Sequence, residues 1–237
     1  MTWLTYSRRP AATVSARQFD SARAEMVARQ IRDRGVRSPA VLDAMLAVPR
    51  HEFVSPSHWA EAYDDKPIQI GNAQTISQPY IVAAMAEALA LKPVDRVLEI
   101  GCGSGYQAAV LSHLAREVIA IEFIPTLAES ARARLARLGF RNITVALADG
   151  SVGWPSAAPY DAIIVSAAAP AVPAPLVEQL AEGGRLVLPV GNAGEQDLVL
   201  FVKREGRATQ QTLFPCRFVP LLGQNGWRVL PNGSLER

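Results

Sequence analysis

Residues 97–105 constrain the fold of this chain more than any other stretch of its sequence. They read VLEIGCGSG, a short apolar strand that carries Glu99 and leads into three glycines at alternate positions. Glycine has no Cβ, so such a loop allows a ligand to approach the backbone closely. Apolar residues at roughly helical spacing follow over residues 108–114, which indicates that the loop leads into a helix. A strand, a glycine loop and a helix in this order predict the nucleotide-binding corner of an α/β sheet.

Short apolar runs continue downstream and alternate with stretches of helical character. Strands of this kind are typical of a parallel sheet that is buried on both faces. The five predicted strands, each separated from the next by a helical stretch, are residues 96–100, 117–121, 143–147, 161–165 and 185–190. Two more, residues 197–203 and 216–221, predict an antiparallel edge. The expected fold class is α/β, with a Rossmann-like, mostly parallel sheet, an antiparallel C-terminal edge and an N-terminal helical section.

Helix signals mark the N-terminal section. Asp20 or Ser21 can cap a helix over residues 22–34, because both side chains accept hydrogen bonds from a first helical turn. Ser38 followed by Pro39 predicts the start of a second helix, since proline is favoured at the first helical position. These two helices are expected to form the N-terminal helical section.

The rest of the chain organisation follows from these signals and from length. Residues 51–78 are expected to form a loop, and a further helix begins at Pro79. A chain of 237 residues is expected to form one α/β domain with an N-terminal addition. The expected divisions are a flexible tail over residues 1–20 and a single domain over 21–237, with helices and an active-site strip in 21–90 and a cofactor-binding core in 91–237.

The residue after the last glycine of the loop narrows the choice of cofactor. A dinucleotide-binding loop has the pattern G-x-G-x-x-G, and this chain has Tyr106 where the last glycine would stand. The mismatch disfavours NAD and FAD and favours S-adenosyl-L-methionine, whose enzymes commonly carry an acidic residue before G-x-G-x-G. Glycines that serve only helix–strand packing remain the alternative, because a glycine loop alone does not establish a function.

Carboxylates lie at the ends of three consecutive predicted strands, where the ligand crevice of an open α/β sheet is found. Glu122 can accept both ribose hydroxyls of a nucleoside, Asp149 and Gly150 can read an adenine edge, and Glu99 is within reach of a cationic amino-acid group. A helix cap or a surface charge is the alternative for any one of them, but three together favour a methyltransferase core. The cofactor contacts predicted in this core are Glu99, Gly101, Gly103, Ser104, Gly105, Glu122, Asp149 and Gly150.

Composition argues against several other functions. The formal net charge is only +2, and nucleic-acid binding would need a denser basic stripe. The two cysteines and three histidines show no metal-ligand spacing. The apolar, uncharged run over residues 162–177 is too short to span a bilayer and contains three prolines. The expectation is a cytoplasmic protein, a monomer, that uses no metal and binds neither nucleic acid nor membrane.

A family is recognisable upstream of the glycine loop. Residues 67–80, PIQIGNAQTISQPY, together with residues 48–54, VPRHEFV, resemble protein-L-isoaspartate O-methyltransferases. The stretches APYDAIIV, AAAP, GGRLVLPVG and RFVPL agree with the same family, so that the similarity covers residues 26–227. The glycine loop is shared with many methyltransferases, whereas Q-T-I-S-Q-P is far more specific.

The resemblance implies transfer of a methyl group from S-adenosyl-L-methionine to the free α-carboxyl of an L-isoaspartyl residue in a damaged protein. The serine of T-I-S-Q-P is the active-site residue of that family, a role that falls on Ser77. Some members of the family have a hydroxyl residue where Leu222 stands, and many have glycine where Ala73 stands. The strip that would cover the cofactor is Gln74, Thr75, Ile76 and Ser77, and the residues that would receive the acceptor are Thr75, Ile76, Val219, Pro220 and Leu221.

Other interpretations remain beside this one. Ser77 can instead act as an N-cap for the helix that begins at Pro79. A methyltransferase core can serve a small carboxylate or a nucleic acid, and a related protein can hold the cofactor without turnover. The chemistry nevertheless suits the residues, because a carboxylate acceptor is already ionised at neutral pH and needs orientation rather than a strong base.

Overall fold

The computed structural model describes residues 15–192, 194–229 and 235–236. Its first element, α1 (Ala16–Glu25), is capped by Ser15 and continues as a π-helical segment, Met26–Arg32. The cap predicted at Asp20 or Ser21 is therefore wrong, because Ser15 and the side chain of Gln18 form a capping box one turn earlier. Residues 16–20 are helical with Phe19 buried, so they are not part of a tail. The rest of the predicted tail, residues 1–14, lies outside the described residues.

The next helix agrees with the prediction and the segment after it does not. Helix α2 (Pro39–Ala47) begins at the proline and is capped by Ser38. Residues 51–78, predicted as a loop, contain 3-10 turns and an antiparallel hairpin of β1 (Ile68–Gly71) and β2 (Gln74–Ile76). These strands have four and three residues, too short to show an alternating pattern. The helix predicted from Pro79 is α3 (Pro79–Ala88).

The main sheet has seven strands in the order β5-β4-β3-β6-β7-β8-β9. Strands β3 to β7 pair in parallel, and β8 and β9 add antiparallel to β7. The strands are β3 (Arg96–Ile100), β4 (Glu117–Glu122), β5 (Ile143–Leu147), β6 (Tyr160–Val165), β7 (Leu180–Gly191), β8 (Gln196–Arg204) and β9 (Arg207–Cys216). The remaining helices are α4 (Tyr106–Ser112), α5 (Pro125–Arg137) and α6 (Ala174–Glu178), and a small pair joins β10 (Arg228–Val229) to β11 (Leu235–Glu236). The expected α/β, Rossmann-like fold with an antiparallel C-terminal edge is confirmed.

Two sequence predictions about the sheet are wrong. The last strand of the main sheet is β9 and not residues 216–221. The apolar pattern did not indicate β9 because it is an edge strand whose polar residues remain exposed. Residues 219–221 are apolar because they fold back over the ends of the parallel strands, where Leu221 is buried and its N–H donates to the Ala168 carbonyl at 2.8 Å. Between β5 and β6 the structure has two 3-10 turns, Gly150–Val152 and Pro155–Ala157, where the alternation predicted a helix.

The sheet places its ligand-facing edge at the carboxyl ends of β3, β4, β5 and β6. Apolar side chains are buried on both faces of β3, β4 and β6, with α3, α4 and α5 among the helices that cover the sheet. None of the helices among the described residues is long and apolar enough to cross a membrane. The described residues likewise contain no group of three or more histidine, cysteine or acidic side chains placed to hold a metal ion.

Candidate cofactor and acceptor site

The glycine loop between β3 and α4 is shaped by left-handed backbone. Gly101, Gly103 and Gly105 have φ values of 79°, 52° and 87°, which residues with a Cβ rarely adopt. The N–H of Gly101 donates to the carbonyl of Ile121 at 2.9 Å, which fixes the loop against β4. A Cβ at Gly103 would lie 3.1 Å from the Ile70 side chain of the β1–β2 hairpin. The loop is thus packed between the sheet and the hairpin.

Glu122 ends β4 with a carboxylate that the backbone orients. Its Oε2 accepts a hydrogen bond from the Gly103 N–H at 2.8 Å, and its Oε1 accepts from the N–H groups of Phe123 and Ile124 at 2.9 Å each. The side chain is buried apart from the face it turns to a cavity at the strand ends. A carboxylate held this way keeps a fixed geometry toward a ligand.

We call this space the strand-end cavity. Its walls come from the hairpin, the ends of β3, β4 and β6, and the segment after β9. The lining residues are Gln74, Thr75, Ile100, Gly101, Gly103, Ile121, Glu122, Phe123, Ile124, Gly150, Ser166, Ala167, Val219, Pro220, Leu221 and Leu222.

Asp149 and Gly150 take different positions relative to this cavity. Gly150 lines it, and a Cβ there would collide with the side chain of Ile100. Asp149 does not line it. The Asp149 carboxylate accepts from the N–H and hydroxyl of Ser151 at 2.8 and 2.7 Å, and from the N–H of Gln224 at 2.8 Å. The residue thus caps a turn and ties down the C-terminal segment.

Glu99 is a buried carboxylate without a partner. It has no exposed surface, and neither of its side-chain oxygens has a hydrogen-bond partner among the described residues. Burial, and then the negative charge of Glu122, raise the pKa of Glu99 to about 8. An unpaired buried carboxyl group is costly unless a ligand supplies a partner. The position therefore fits a cationic group of a ligand.

Glu99 lines a second space, which we call the inner cavity. It lies between the glycine loop and the β2–α3 connection and reaches Ser104, which is buried. Gly105 lines neither cavity, because it faces Leu135 of α5. The inner cavity is lined by Thr75, Ile76, Ser77, Val82, Glu99, Gly101, Cys102, Gly103, Ser104, Tyr106, Gln107 and Ser166.

Ser77 lies where the inner cavity meets an open groove. The Ser77 hydroxyl makes no hydrogen bond within the part of the chain that the structure describes. The N-cap of α3 is Gln78, without a side-chain hydrogen bond, so the structure gives Ser77 no capping role. The open groove is lined by Arg34, Pro67, Thr75, Ser77, Gln78, Tyr80, Ile81, Ser166, Phe214, Pro215, Cys216, Arg217, Phe218, Val219 and Pro220.

Thr75 connects all three spaces, since it lines the strand-end cavity, the inner cavity and the open groove. Val219 and Pro220 line both the strand-end cavity and the open groove, whereas Leu221 faces the strand-end cavity. Ile76 is buried and reaches the inner cavity, and Gln74 borders the strand-end cavity. The two sequence segments that lie about 140 residues apart thus meet at one place.

Comparison with known proteins identifies the family. The family model described as protein-L-isoaspartate(D-aspartate) O-methyltransferase matches residues 21–226. The chain belongs to this family. The protein-L-isoaspartate O-methyltransferase of Methanoculleus marisnigri is 54% identical over 206 residues, which cover 87% of this chain and 94% of that protein.

Solved structures of protein-L-isoaspartate O-methyltransferases have the same fold. One is 32% identical with a TM-score of 0.77, and the similarity covers 85% of this chain and 66% of that one. A putative protein-L-isoaspartate O-methyltransferase from Plasmodium falciparum, solved in complex with S-adenosyl-L-homocysteine, is 26% identical with a TM-score of 0.75. Here the coverage is 84% of this chain and 98% of that one. The resemblance expected from residues 26–227 is confirmed.

The cavities and the groove are also lined by residues that the sequence analysis did not single out. Ser166 follows β6 and lines all three spaces, and its position at the carboxyl end of a parallel strand was a usable signal. Phe123 is half-exposed directly after Glu122 and lines the strand-end cavity together with Ile124. These apolar residues had no distinguishing pattern in the sequence.

Proposed function

We propose that this protein transfers a methyl group from S-adenosyl-L-methionine to the α-carboxyl of L-isoaspartyl residues in damaged proteins and peptides, the step that initiates their conversion to L-aspartyl residues. The observation that carries the proposal is the position of Ser77. Its free hydroxyl lies between the inner cavity, which holds a carboxyl group suited to a cation, and an open groove at the surface. Family membership agrees with this activity.

The residues present fit S-adenosyl-L-methionine. When bound, this cofactor supplies an activated methyl group on a positively charged sulfur. Glu122 would hold the ribose hydroxyls, Glu99 the cationic amino-acid group, and the backbone of Gly101 and Gly103 allows close approach. Gly150 borders the place for the adenine, where Phe123 offers an aromatic face. Asp149 stabilises the wall beside Gly150, because its carboxylate accepts hydrogen bonds from the N–H groups of Ser151 and Gln224.

The acceptor side needs orientation more than proton transfer. A free α-carboxyl has a pKa near 3.5, so it is an anion at neutral pH and can attack without a general base. None of the three histidines lines the two cavities or the groove. The Ser77 hydroxyl can donate one hydrogen bond to the carboxylate without holding it as tightly as an arginine would. Correct placement of the reacting atoms can supply roughly 7–11 kcal/mol of the barrier reduction.

A matched pair of peptides tests the activity. The protein is incubated with labelled S-adenosyl-L-methionine and two peptides that differ only in an aspartyl or an isoaspartyl residue. Base-labile label on the isoaspartyl peptide alone supports the proposal. Label on both peptides, or on neither, contradicts the proposal. The remaining interpretations are then a different methyl acceptor or a protein that binds the cofactor without turnover.

Ser77→Ala tests the role of the hydroxyl in the same assay. Removing one hydrogen bond to a charged group costs about 1.5–3 kcal/mol, so kcat should fall about 10- to 100-fold while the fold is retained. The matched control is Ser57→Ala, because Ser57 is exposed and bonds only to Ser55 among the described residues. Equal turnover of the two variants would refute the catalytic role of Ser77.

Further properties belong to the same proposal. We propose that the enzyme works as a cytoplasmic monomer and binds neither nucleic acid nor membrane, with residues 21–237 as one domain. The support is a net charge of +2 and a site that is completed by residues of a single chain.

A further inference from the structure

The charged residues of the open groove all carry one sign. Among the described residues that line it, Arg34 and Arg217 are charged, and no carboxylate is present. The groove also contains Ser77, so a peptide that presents an isoaspartyl residue there has its neighbouring residues near these arginines. The proposed substrate is an anion at the isoaspartyl residue itself, but its flanking side chains differ from one damaged protein to the next. The positive charge of the groove is therefore expected to influence which isoaspartyl sites the enzyme accepts.

Arg34 forms a fixed part of the wall. Its guanidinium lies over the ring of Tyr80, with the central carbon 3.7 Å from the ring centroid. It also forms an ion pair with Asp65, with a distance of 2.6 Å from Nη1 to Oδ2. Asp65 balances much of its charge, so Arg34 contributes a flat, positioned surface more than an attractive field.

Arg217 differs from Arg34 in lacking an acidic partner. It follows directly after β9, is exposed, and stands two residues before Val219 of the groove wall. No described carboxylate lies within ion-pair distance of it. Asp197 lies opposite Pro215 in the pairing of β8 with β9. Burial and the negative charge of Asp197 raise the pKa of the neighbouring Cys216 thiol, and Asp197 forms no ion pair with Arg217. The positive charge of Arg217 is thus available to a ligand in the groove.

We propose that Arg217 determines substrate specificity by attracting an acidic side chain next to the isoaspartyl residue, so that sites flanked by aspartate or glutamate are methylated in preference to sites flanked by lysine or arginine. The inference rests on the proposed function. An exposed ion pair gives a modest gain and a like-charge contact a similar loss. Together they correspond to about a 3- to 20-fold preference in kcat/KM at low ionic strength. The difference appears in KM, because Arg217 is not placed at the reacting atoms.

Three peptides with a central isoaspartyl residue and with glutamate, glutamine or lysine beside it test the proposal. We expect kcat/KM to fall in that order at low salt. The preference should nearly disappear in about 1 M salt, where charges are screened beyond about 3 Å. Arg217→Gln should make the three values nearly equal, whereas Arg217→Lys should keep most of the preference.

The matched control is Arg207→Gln, which removes the same charge at the other end of β9. Arg207 is exposed, lies outside the groove and is about 30 Å away along the ten-residue strand. An unchanged preference in Arg217→Gln would overturn the proposal, and so would an equal loss of preference in Arg207→Gln, which would indicate a net-charge effect. If none of the three peptides is methylated, the proposed function fails and the specificity proposal fails with it.

Discussion

Glu99→Gln is the substitution that most directly tests how the inner cavity receives a cation. Glu99 is buried with two unpartnered oxygens, and burial together with the charge of Glu122 raises its pKa to about 8. With that pKa, Glu99 is mostly protonated and neutral in the ligand-free protein at pH 7. Glutamine has the same shape as this neutral form.

The change in pKa sets the size of the expected effect on stability. A rise of the Glu99 pKa from 4.5 to about 8 corresponds to roughly 5 kcal/mol in the free energy of unfolding, since each pKa unit is worth about 1.4 kcal/mol. Because the folded protein holds a proton that the unfolded chain has already released, the free energy of unfolding falls as pH rises from 4.5 to 8. Glu99→Gln lacks this titration, so its free energy of unfolding should fall less over the same range. Urea denaturation at pH 5 and pH 9 measures the difference.

The same group should release a proton when the ligand binds. A cationic amino group beside Glu99 favours the carboxylate, so binding of S-adenosyl-L-homocysteine at pH 7 should release a proton from this residue, and binding at pH 9 should release much less. Calorimetry in two buffers of different ionisation enthalpy measures the release. Glu99→Gln should lose this contribution and bind the ligand at least 10-fold more weakly.

A control separates this effect from a change in overall charge. Glu129 is exposed on α5 and forms no ion pair with the described residues, so Glu129→Gln should leave both the stability curve and the proton release unchanged. Proton release and affinity in Glu99→Gln that match those of the parent protein would refute the reasoning.

Two further substitutions test the strand ends and the hairpin. Glu122→Gln should weaken cofactor binding about 10- to 100-fold, because charged hydrogen bonds of about 1.5–3 kcal/mol are lost, and equal affinity in a titration would show that Glu122 only supports the loop. Ala73→Gly should raise the free energy of unfolding by about 1 kcal/mol, since Ala73 has φ 55° in the hairpin turn and glycine adopts that conformation without a steric penalty. A lower denaturation midpoint would contradict it.

The parts of the fold that depend on local pattern were predictable. Residues 96–100 match β3 and residues 161–165 lie within β6 because buried parallel strands are continuous apolar runs. Strand β9 was missed because an exposed edge needs no such run, and the apolar residues 219–221 were mistaken for a strand because they cover a cavity instead. The pattern of apolar residues reports burial, and burial has more than one cause.

The site residues likewise divide into those that a local sequence motif marks and those that only the fold brings together. Glu99 and Ser77 could be placed because a glycine loop and a specific motif mark them, and the structure brings both to the inner cavity. That Ser166 lines the same cavity as Ser77 depends on how β6 lies beside β3, which no local signal encodes. The hydrogen bond between Asp149 and the Gln224 N–H likewise joins segments 75 residues apart.

In the function proposed above, residues 217–227 contribute to both the cofactor site and the acceptor site. Val219 and Pro220 border both spaces, while the far end is fastened by the Asn225 N–H on the Ser151 hydroxyl and by the Trp227 indole on the Ala168 carbonyl. Because these hydrogen bonds hold the end of the segment, a substitution that changes its conformation on the groove side also changes the wall of the strand-end cavity. Variant libraries that aim to broaden the acceptor range through these positions will therefore also select for cofactor affinity. Truncations or fusions placed before Trp227 will damage both functions together.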